Sequence, residues 1–189
     1  YAEAEDIIRR LLTEAGQRNL PGGYVNDDGT GAVAAASDAP QQSPETYVGY
    51  ARGTNFDSGP AVYDKPHDYR VPDTLAADHW ALAGQWTIHD ERSVLDRAGG
   101  RIVYRFRGRD LHLVLGPTTS GKAIRFVVHI DGAEPGVNHG TDGDASGRGT
   151  VTAERLYQIV RLAGDITMPH TVEIEFLDAG VAAYAFTFG

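Results

Sequence analysis

The sequence predicts an all-β protein, a jelly-roll β-sandwich with an N-terminal amphipathic helix. Segments of its second half alternate apolar and polar residues, as in RIVYRF at 101–106 and TVEIEF at 171–176. Side chains of a strand point to opposite faces in turn, so each such segment has one buried and one wet face. Turn-like stretches separate the segments, and 41% of the 189 residues are apolar, which is enough to fill a core between two stacked sheets.

The amphipathic helix is predicted at residues 1–16. Its apolar residues recur at three- and four-residue spacing, acidic residues occupy the first turn, and Gly16 is a C-terminal stop signal. Because so short a helix is marginally stable alone, we expect its apolar face to be buried against a protein surface. That face consists of Ala4, Ile7, Ile8, Leu11, Leu12 and Ala15.

Residues 17–42 are predicted to be a linker, since they are rich in Gly, Ala, Asp and Pro and lack periodicity. The predicted domains are therefore the helix 1–16, this linker and the sandwich 43–189. At Ser43-Pro44 two interpretations stay open: a helix start, or a turn that leads into an edge strand. Eight strands are predicted near 79–90, 92–97, 101–107, 110–116, 123–131, 154–162, 170–178 and 181–188.

Two connections between these strands are predicted to be hairpin turns. Gly108-Arg109 joins two strands by a short, glycine-containing turn. GPTTSGK at 116–122 matches part of a phosphate-binding loop. Ala123 stands where that motif has Ser or Thr, however, and no helix is predicted after it, so we interpret it as a hairpin loop.

Composition excludes several classes of function. The formal net charge of -9 and the lack of a basic stripe argue against a nucleic-acid partner. No apolar run approaches the roughly 20 residues that span a bilayer, so no membrane contact by this chain is expected. The chain contains no cysteine, which excludes thiol chemistry, disulfides and cysteine metal sites. No catalytic residue is predicted, because no nucleophile lies beside a recognisable base.

The acidic, glycine-rich stretch 129–158 contains the candidate metal ligands. Asp142 and Asp144 offer oxygen atoms at alternate positions before a glycine, as a calcium loop does. Glu154 lies one place beyond the position that an EF-hand requires, so a Ca²⁺ site here would be of another kind. No other cofactor is predicted, and the alternative is a solvated acidic loop without a ligand.

Aromatic residues with polar neighbours predict a carbohydrate site. Sugar C–H groups stack on aromatic rings while amide, guanidinium and carboxylate groups bind the hydroxyls. The alternative is that the aromatic side chains belong to the core, in which case they cannot stack on a sugar. The candidate ligand-binding residues are Trp86, His139, Asp142, Asp144, Arg155 and Tyr157.

Several segments, taken in order, resemble the C-terminal domain of DipZ-type proteins of the cytochrome c biogenesis class. In that family a membrane part is followed by a thioredoxin-like domain and then by a sandwich similar to carbohydrate-binding modules. The resemblance covers residues 43–189, and residues 1–16 are similar to the last helix of the thioredoxin-like domain. The matching segments are SPETYVGYAR (43–52), WALAGQW (80–86), the stretch from Val128 through HGTDGD, RLYQIVR (155–161) and EIEFLDAGVAAYAFTFG (173–189).

The resemblance implies a non-catalytic, extracytoplasmic accessory domain of a membrane-anchored thiol-disulfide oxidoreductase. The family's Cys-x-x-Cys pair lies upstream, so no residue of this chain takes its role. The implied partners are a carbohydrate or cell-envelope component and the thioredoxin-like domain of the parent protein. The alternative function is a structural or docking module that positions that domain and its clients through a dry, apolar patch.

Overall fold

A computed structural model describes residues 2–24 and 42–189. The chain divides into two compact units, an N-terminal one that contains a helix and a larger one that contains the strands. The predicted linker 17–42 lies mostly outside the described residues, so the predicted domain boundaries stay predictions. The elements are α1 (Ala2–Glu14), β1 (Thr46–Tyr47), β2 (His67–Tyr69), β3 (Trp80–Ile88), β4 (Ser93–Leu95), β5 (Gly100–Phe106), β6 (Asp110–Pro117), β7 (Ile124–Ile130), β8 (Arg148–Val151), β9 (Arg155–Arg161), β10 (His170–Phe176) and β11 (Val181–Phe188).

The predicted helix is present as α1. Glu3 and Glu5 lie in its first turn, and Gly16 follows its end with a φ of +88°. Within this chain the side chains of Ile7, Ile8, Leu11 and Leu12 are between 39% and 55% exposed, so burial of this face against another protein surface stays a prediction. Within the described ranges, no helix combines the length and the apolar character needed to cross a bilayer.

The strands form two antiparallel sheets that share β3. Sheet A has the order β9-β6-β11-β4-β3-β2, with β1 also paired to β11, and sheet B has the order β8-β7-β10-β5-β3. The chain passes from sheet B to sheet A between β5 and β6, and returns to sheet B at β7. The predicted jelly-roll β-sandwich is therefore confirmed.

β3 bends from one sheet into the other at Gly84. Its first four residues, Trp80–Ala83, pair with β5, whereas the residues from Gly84 onward pair with β2 and β4. Gly84 has a φ of +88°, and a Cβ atom there would lie 3.0 Å from the Cα of Gly100. Both the backbone conformation and the close approach favour glycine, so the corner of the sandwich depends on this residue.

The core between the sheets contains the inward-facing side chains that the alternation predicts. Ile102, Tyr104 and Phe106 of β5 are each 0% exposed, while Arg101 and Arg105 lie half-buried on the outer face of sheet B. Aromatic rings fill much of this core. The largest fully buried side chains include Trp86, Tyr104, Tyr157, Phe106, Phe126, Phe176 and Phe186.

The eight predicted strands are all present, each within two residues of its predicted ends. The strands β2 and β8 were not predicted, and β1 was one of the two interpretations left open at Ser43; all three are only two to four residues long. The interpretation of a turn into an edge strand is right, because β1 pairs with β11. The buried Ser43 hydroxyl donates to Asp78 at 2.5 Å and accepts from the Arg107 N–H at 2.8 Å. Both predicted hairpins are wrong, because β5, β6 and β7 do not pair with one another and their connections cross between sheets.

We expect Gly84→Ala to lower the free energy of unfolding by about 2–3 kcal/mol, because it adds crowding to the strain of a left-handed backbone. Gly59→Ala is the matched control: its φ is +86°, but nothing lies within 4 Å of a Cβ atom there. It should cost only about 1 kcal/mol. Urea unfolding measures both, and equal losses would contradict the sheet-corner role.

His170, the first residue of β10, forms hydrogen bonds with both of its ring nitrogens at the end of sheet B. Its Nδ1 lies 2.7 Å from Asp131 and its Nε2 lies 3.0 Å from the carbonyl of Asp165, so both nitrogens face acceptors and only the imidazolium can donate to both. Burial lowers the pKa of His170, but the hydrogen bonds to Asp131 and to the Asp165 carbonyl together outweigh it and leave the pKa raised.

A raised folded-state pKa makes the contribution of His170 to stability depend on pH. The stabilisation is fully present below the unfolded pKa, near 6.5, and is lost as pH rises through the folded pKa. His170→Gln should therefore cost more stability at about pH 5.5 than at about pH 8.5, by less than about 1 kcal/mol because the ring is partly exposed. Urea unfolding at both pH values tests this, with the exposed His67→Gln as control; a larger loss at high pH would contradict it.

Candidate functional site

The two aromatic residues predicted to stack on a ligand are buried instead. Trp86 is 0% exposed, and its indole N–H donates to the carbonyl of Ala83 at 2.9 Å. Tyr157 is also 0% exposed, and its hydroxyl donates to the carbonyl of Ala153 at 2.8 Å. Both lie in the core because they occupy inward positions of alternating strands, so neither can stack on a sugar.

Asp142 and Arg155 come together, but as an ion pair within the protein. The guanidinium donates to both carboxylate oxygens, at 3.1 Å and 2.5 Å, and lies 3.8 Å from the centre of the Tyr157 ring. Asp142 also accepts the backbone N–H of Gln158 at 2.7 Å. The half-buried His139 has its Nδ1 2.9 Å from the carbonyl of Gly140. The contacts of Asp142 hold the loop that precedes β8 against strand β9.

Asp144 caps a turn that leads into β8. One oxygen accepts from the backbone N–H groups of Ser146 and Arg148 and from the Ser146 hydroxyl, at 2.7–3.0 Å. The hydrogen bond from that hydroxyl is the main reason why the pKa of Asp144 is lowered. In the ranges that the structure describes, no three His, Cys, Asp or Glu side chains are grouped to hold a metal ion. Calcium binding by Asp142 and Asp144 stays a prediction.

An aromatic slot opens at another edge of the sandwich. Its mouth is formed by Tyr50 and Tyr63, which are 39% and 53% exposed and whose ring centres are 4.5 Å apart. Its floor is formed by Phe56 and the buried Trp80, whose ring centres are 4.6 Å apart. We call these four residues, with the aliphatic side chains between them, the aromatic slot. None of the four was a predicted site residue.

Both ends of β3 position the slot. At its start, Trp80 forms a parallel bridge with Phe56, and at its end Ile88 forms one with Tyr63. Tyr50 follows β1 and donates its backbone N–H to the carbonyl of His89 at 2.9 Å. Gly49 permits this approach, because a Cβ atom there would lie 2.3–2.5 Å from the backbone of the turn at 90–92.

Asp64 joins the two sides of the slot. It accepts the Tyr50 hydroxyl at 3.0 Å and faces Nδ1 of His89 at 2.9 Å. The hydrogen bonds from His89 and then from Tyr50 hold the pKa of Asp64 below its usual range, and the hydrogen bond to Asp64 raises the pKa of Tyr50. Asp64 has a φ of 55°, a left-handed conformation that Asp tolerates better than most residues.

The slot itself encloses about 50 Å³, room for one or two water-sized groups. A larger group would therefore lie across its mouth, against an exposed tyrosine ring. The side chains of Asp64 and His89 are 55% and 34% exposed. Their oxygen and nitrogen atoms can therefore form hydrogen bonds with polar groups of a ligand beside that ring. An exposed ring with adjacent polar groups can contact a ligand that has both an apolar face and polar substituents.

Residues 43–189, the whole sandwich, match the family model described as the thioredoxin-like C-terminal domain. The chain belongs to that family. It is also 23% identical over 189 residues to protein DipZ of Mycobacterium bovis and to protein DipZ of Mycobacterium tuberculosis, which confirms the resemblance to DipZ-type proteins. These matches include all of this chain and 24% of each relative, so the chain spans about a quarter of the length of those proteins.

Solved structures similar to this thioredoxin-like C-terminal domain include two family-two carbohydrate esterases. The enzyme from Clostridium thermocellum, solved with cellohexaose, aligns with a TM-score of 0.38 and 15% identity over 52% of this chain and 27% of its own. The enzyme from Cellvibrio japonicus aligns with a TM-score of 0.42 and 16% identity over 58% of this chain and 30% of its own.

Sequence reasoning missed the slot because its tyrosines lie outside the periodic segments of the domain. Tyr63 lies in a Pro- and Asp-rich loop, and Tyr50 follows a strand of only two residues. One signal was available in the sequence. A large aromatic residue in a loop lies outside the alternating pattern of a strand, so that pattern gives no reason to expect its side chain to be buried. Only the long-range pairing with β3 shows that these two rings meet.

We expect Asp64→Asn to lower the pKa of Tyr50 toward its ordinary value, near 10, because an amide accepts a weaker hydrogen bond from the phenol than a carboxylate does and carries no negative charge to oppose phenolate formation. The substituted amide still accepts a hydrogen bond, so the ring should stay in place. An NMR titration of tyrosine ring carbons measures this change. Asp73→Asn, at an exposed carboxylate of a loop, should leave the Tyr50 pKa unchanged; an equal effect of both substitutions would contradict the contact.

Proposed function

We propose that this DipZ-type C-terminal domain is a non-catalytic accessory module that binds carbohydrate at the aromatic slot. The observation that supports this most is the exposure of two adjacent tyrosine rings, 39% at Tyr50 and 53% at Tyr63, in a protein whose other sandwich aromatics are mostly core. Tyr50 is held by its hydrogen bond to Asp64 and Tyr63 by its backbone bridge to Ile88, so the binding surface exists before a ligand arrives.

The proposed binding mode has two components. The apolar face of a sugar ring covers Tyr63, which removes ring and C–H surface from water, and its hydroxyls bind to Asp64 and His89. A single stacking ring with two polar partners gives few contacts, so we expect dissociation constants of about 0.1–1 mM per site. Such weak binding suits a module that keeps its parent near an abundant polymer rather than one that captures a rare ligand.

The proposed place of the domain follows from its family. In this proposal the parent is a membrane-anchored thiol-disulfide oxidoreductase, the domain lies on the extracytoplasmic side, and a thioredoxin-like domain of the same protein is its partner. The chain itself has no cysteine and takes no part in the redox step. Binding a cell-envelope sugar would hold that redox domain close to substrates in the envelope.

A second candidate function is docking onto the thioredoxin-like domain of the parent. Leu156 of β9 is 40% exposed and lies opposite the half-buried Val114 of β6, on the outer face of sheet A. Two aliphatic side chains in register form the kind of small apolar patch that a docked domain covers. Leu156→Arg should weaken such docking and leave sugar binding at the slot unchanged.

A glycan array followed by calorimetric titration tests the carbohydrate proposal directly. We expect saturable binding of at least one oligosaccharide at millimolar concentration, and Tyr63→Ala should weaken it at least about tenfold because the stacking surface is lost. Tyr24→Ala removes a 58% exposed tyrosine outside the slot and is the matched control. Absence of binding to every sugar, or equal binding by Tyr63→Ala, would contradict the proposal.

A further inference from the structure

A second groove, lined by cationic side chains, lies at the far edge of sheet B. It encloses about 240 Å³ between the strands β7 and β8 and the end of β10. Phe126 and Leu177 contribute apolar surface to its wall, and three polar side chains complete it. These are Arg125, Arg148 and Thr150. We call these three the oxyanion groove residues.

The strand register places the three residues on one face. Arg125 pairs with Thr150, and Arg148 pairs with Val127, two residues farther along β7. Residues that pair directly or differ by two point to the same side of a sheet, so all three project outward. Gly149 lies between Arg148 and Thr150, and a Cβ atom there would lie 2.1 Å from the ring of Phe126. This glycine lets the ring pack directly under β8.

Arg125 is fixed in orientation by an ion pair. Its Nε and Nη2 donate to the two oxygens of Asp178, each at 2.9 Å, and the carboxylate also accepts the Arg125 backbone N–H at 3.0 Å. A bidentate pair of this kind holds the guanidinium plane in place. The remaining nitrogen, Nη1, has no hydrogen bond to any residue of the described ranges, so it is free to donate outward.

Arg148 and Thr150 also keep their side-chain donors available. Across residues 2–24 and 42–189, neither the Arg148 guanidinium nor the Thr150 hydroxyl makes a hydrogen bond or ion pair. Asp144 lies close enough to Arg148 for electrostatic attraction, but its carboxylate accepts hydrogen bonds from Ser146 and from the Arg148 backbone instead. Donors from two adjacent strands therefore converge on the groove without acceptors.

The surroundings of the groove are less negative than the protein as a whole. Arg125, Arg148 and Lys122 lie near the carboxylates of Asp178 and Asp144, and Glu175 shares this face, so the local charges balance, whereas the whole chain has a net charge of -9. An anion is attracted to such a site more strongly than to the rest of the surface. Two arginines are too few to follow the successive phosphates of a nucleic acid.

We propose that the oxyanion groove binds one phosphate group of a phosphorylated ligand. Arg125 lies directly opposite Thr150 and diagonally across from Arg148, so the two guanidinium groups and the hydroxyl approach an anion from different directions. A tetrahedral phosphate offers three oxygens to such donors, whereas a carboxylate offers two oxygens in one plane. This proposal is independent of sugar binding at the aromatic slot.

The test is an NMR titration of the whole chain with inorganic phosphate at constant ionic strength. We expect saturable shifts of the backbone amides of Gly149 and Thr150, with a dissociation constant of about 1–10 mM. Arg148→Gln keeps the aliphatic stem and should weaken binding at least about fivefold. Arg70→Gln removes an exposed arginine elsewhere on the sandwich and should leave binding unchanged.

Three outcomes would overturn the proposal: shifts that do not saturate, equal weakening by Arg148→Gln and Arg70→Gln, or tighter binding of glucuronate than of phosphate. The source of the phosphate is found in a second arm, by sedimentation with vesicles that contain phosphatidic acid, whose phosphomonoester keeps three free oxygens. Vesicle binding that Arg148→Gln abolishes supports a phosphate on a lipid, and phosphate binding without vesicle binding supports one on a soluble ligand.

Discussion

The structure depends on one strand, β3, which belongs to both sheets. Gly84 lets the strand bend, so that the residues before it pair within sheet B and the residues from Gly84 onward pair within sheet A. The same strand positions the aromatic slot, because Trp80 at its start bridges to Phe56 and Ile88 at its end bridges to Tyr63. A change that straightens or shifts β3 would therefore disturb the core and the slot together.

The two surface sites differ in how the fold prepares them. In the slot, Tyr63 is held by its backbone bridge to Ile88 and Tyr50 by its hydrogen bond to Asp64, so the aromatic surface is preorganised and polar groups flank it. In the oxyanion groove, one arginine is fixed by Asp178 while Arg148 remains free to move onto a ligand. One site offers aromatic surface and the other offers guanidinium and hydroxyl donors, so they suit different chemical groups and can act independently.

The sequence predicts the strands well because period-two alternation is a local signal. The eight strands that were predicted are seven or more residues long, apart from β4, whereas β1, β2 and β8 are too short to show a period. Local spacing cannot tell which sheet a strand joins, so the hairpins at Gly108-Arg109 and at 116–122 were wrong. The same limit applies to the site. Trp86 and Tyr157 have inward positions in alternating strands, and Tyr50 and Tyr63 meet only through pairing between distant segments.

The measurement that tests the central claim most directly is an amide and side-chain NMR titration of the full chain with an oligosaccharide selected on the array. The account predicts that the largest shifts map to Tyr50, Tyr63, Asp64 and His89, with Tyr63 ring signals moving upfield or downfield in a saturable way. Shifts confined to the loop 129–158, or to the outer face of sheet A, would contradict it.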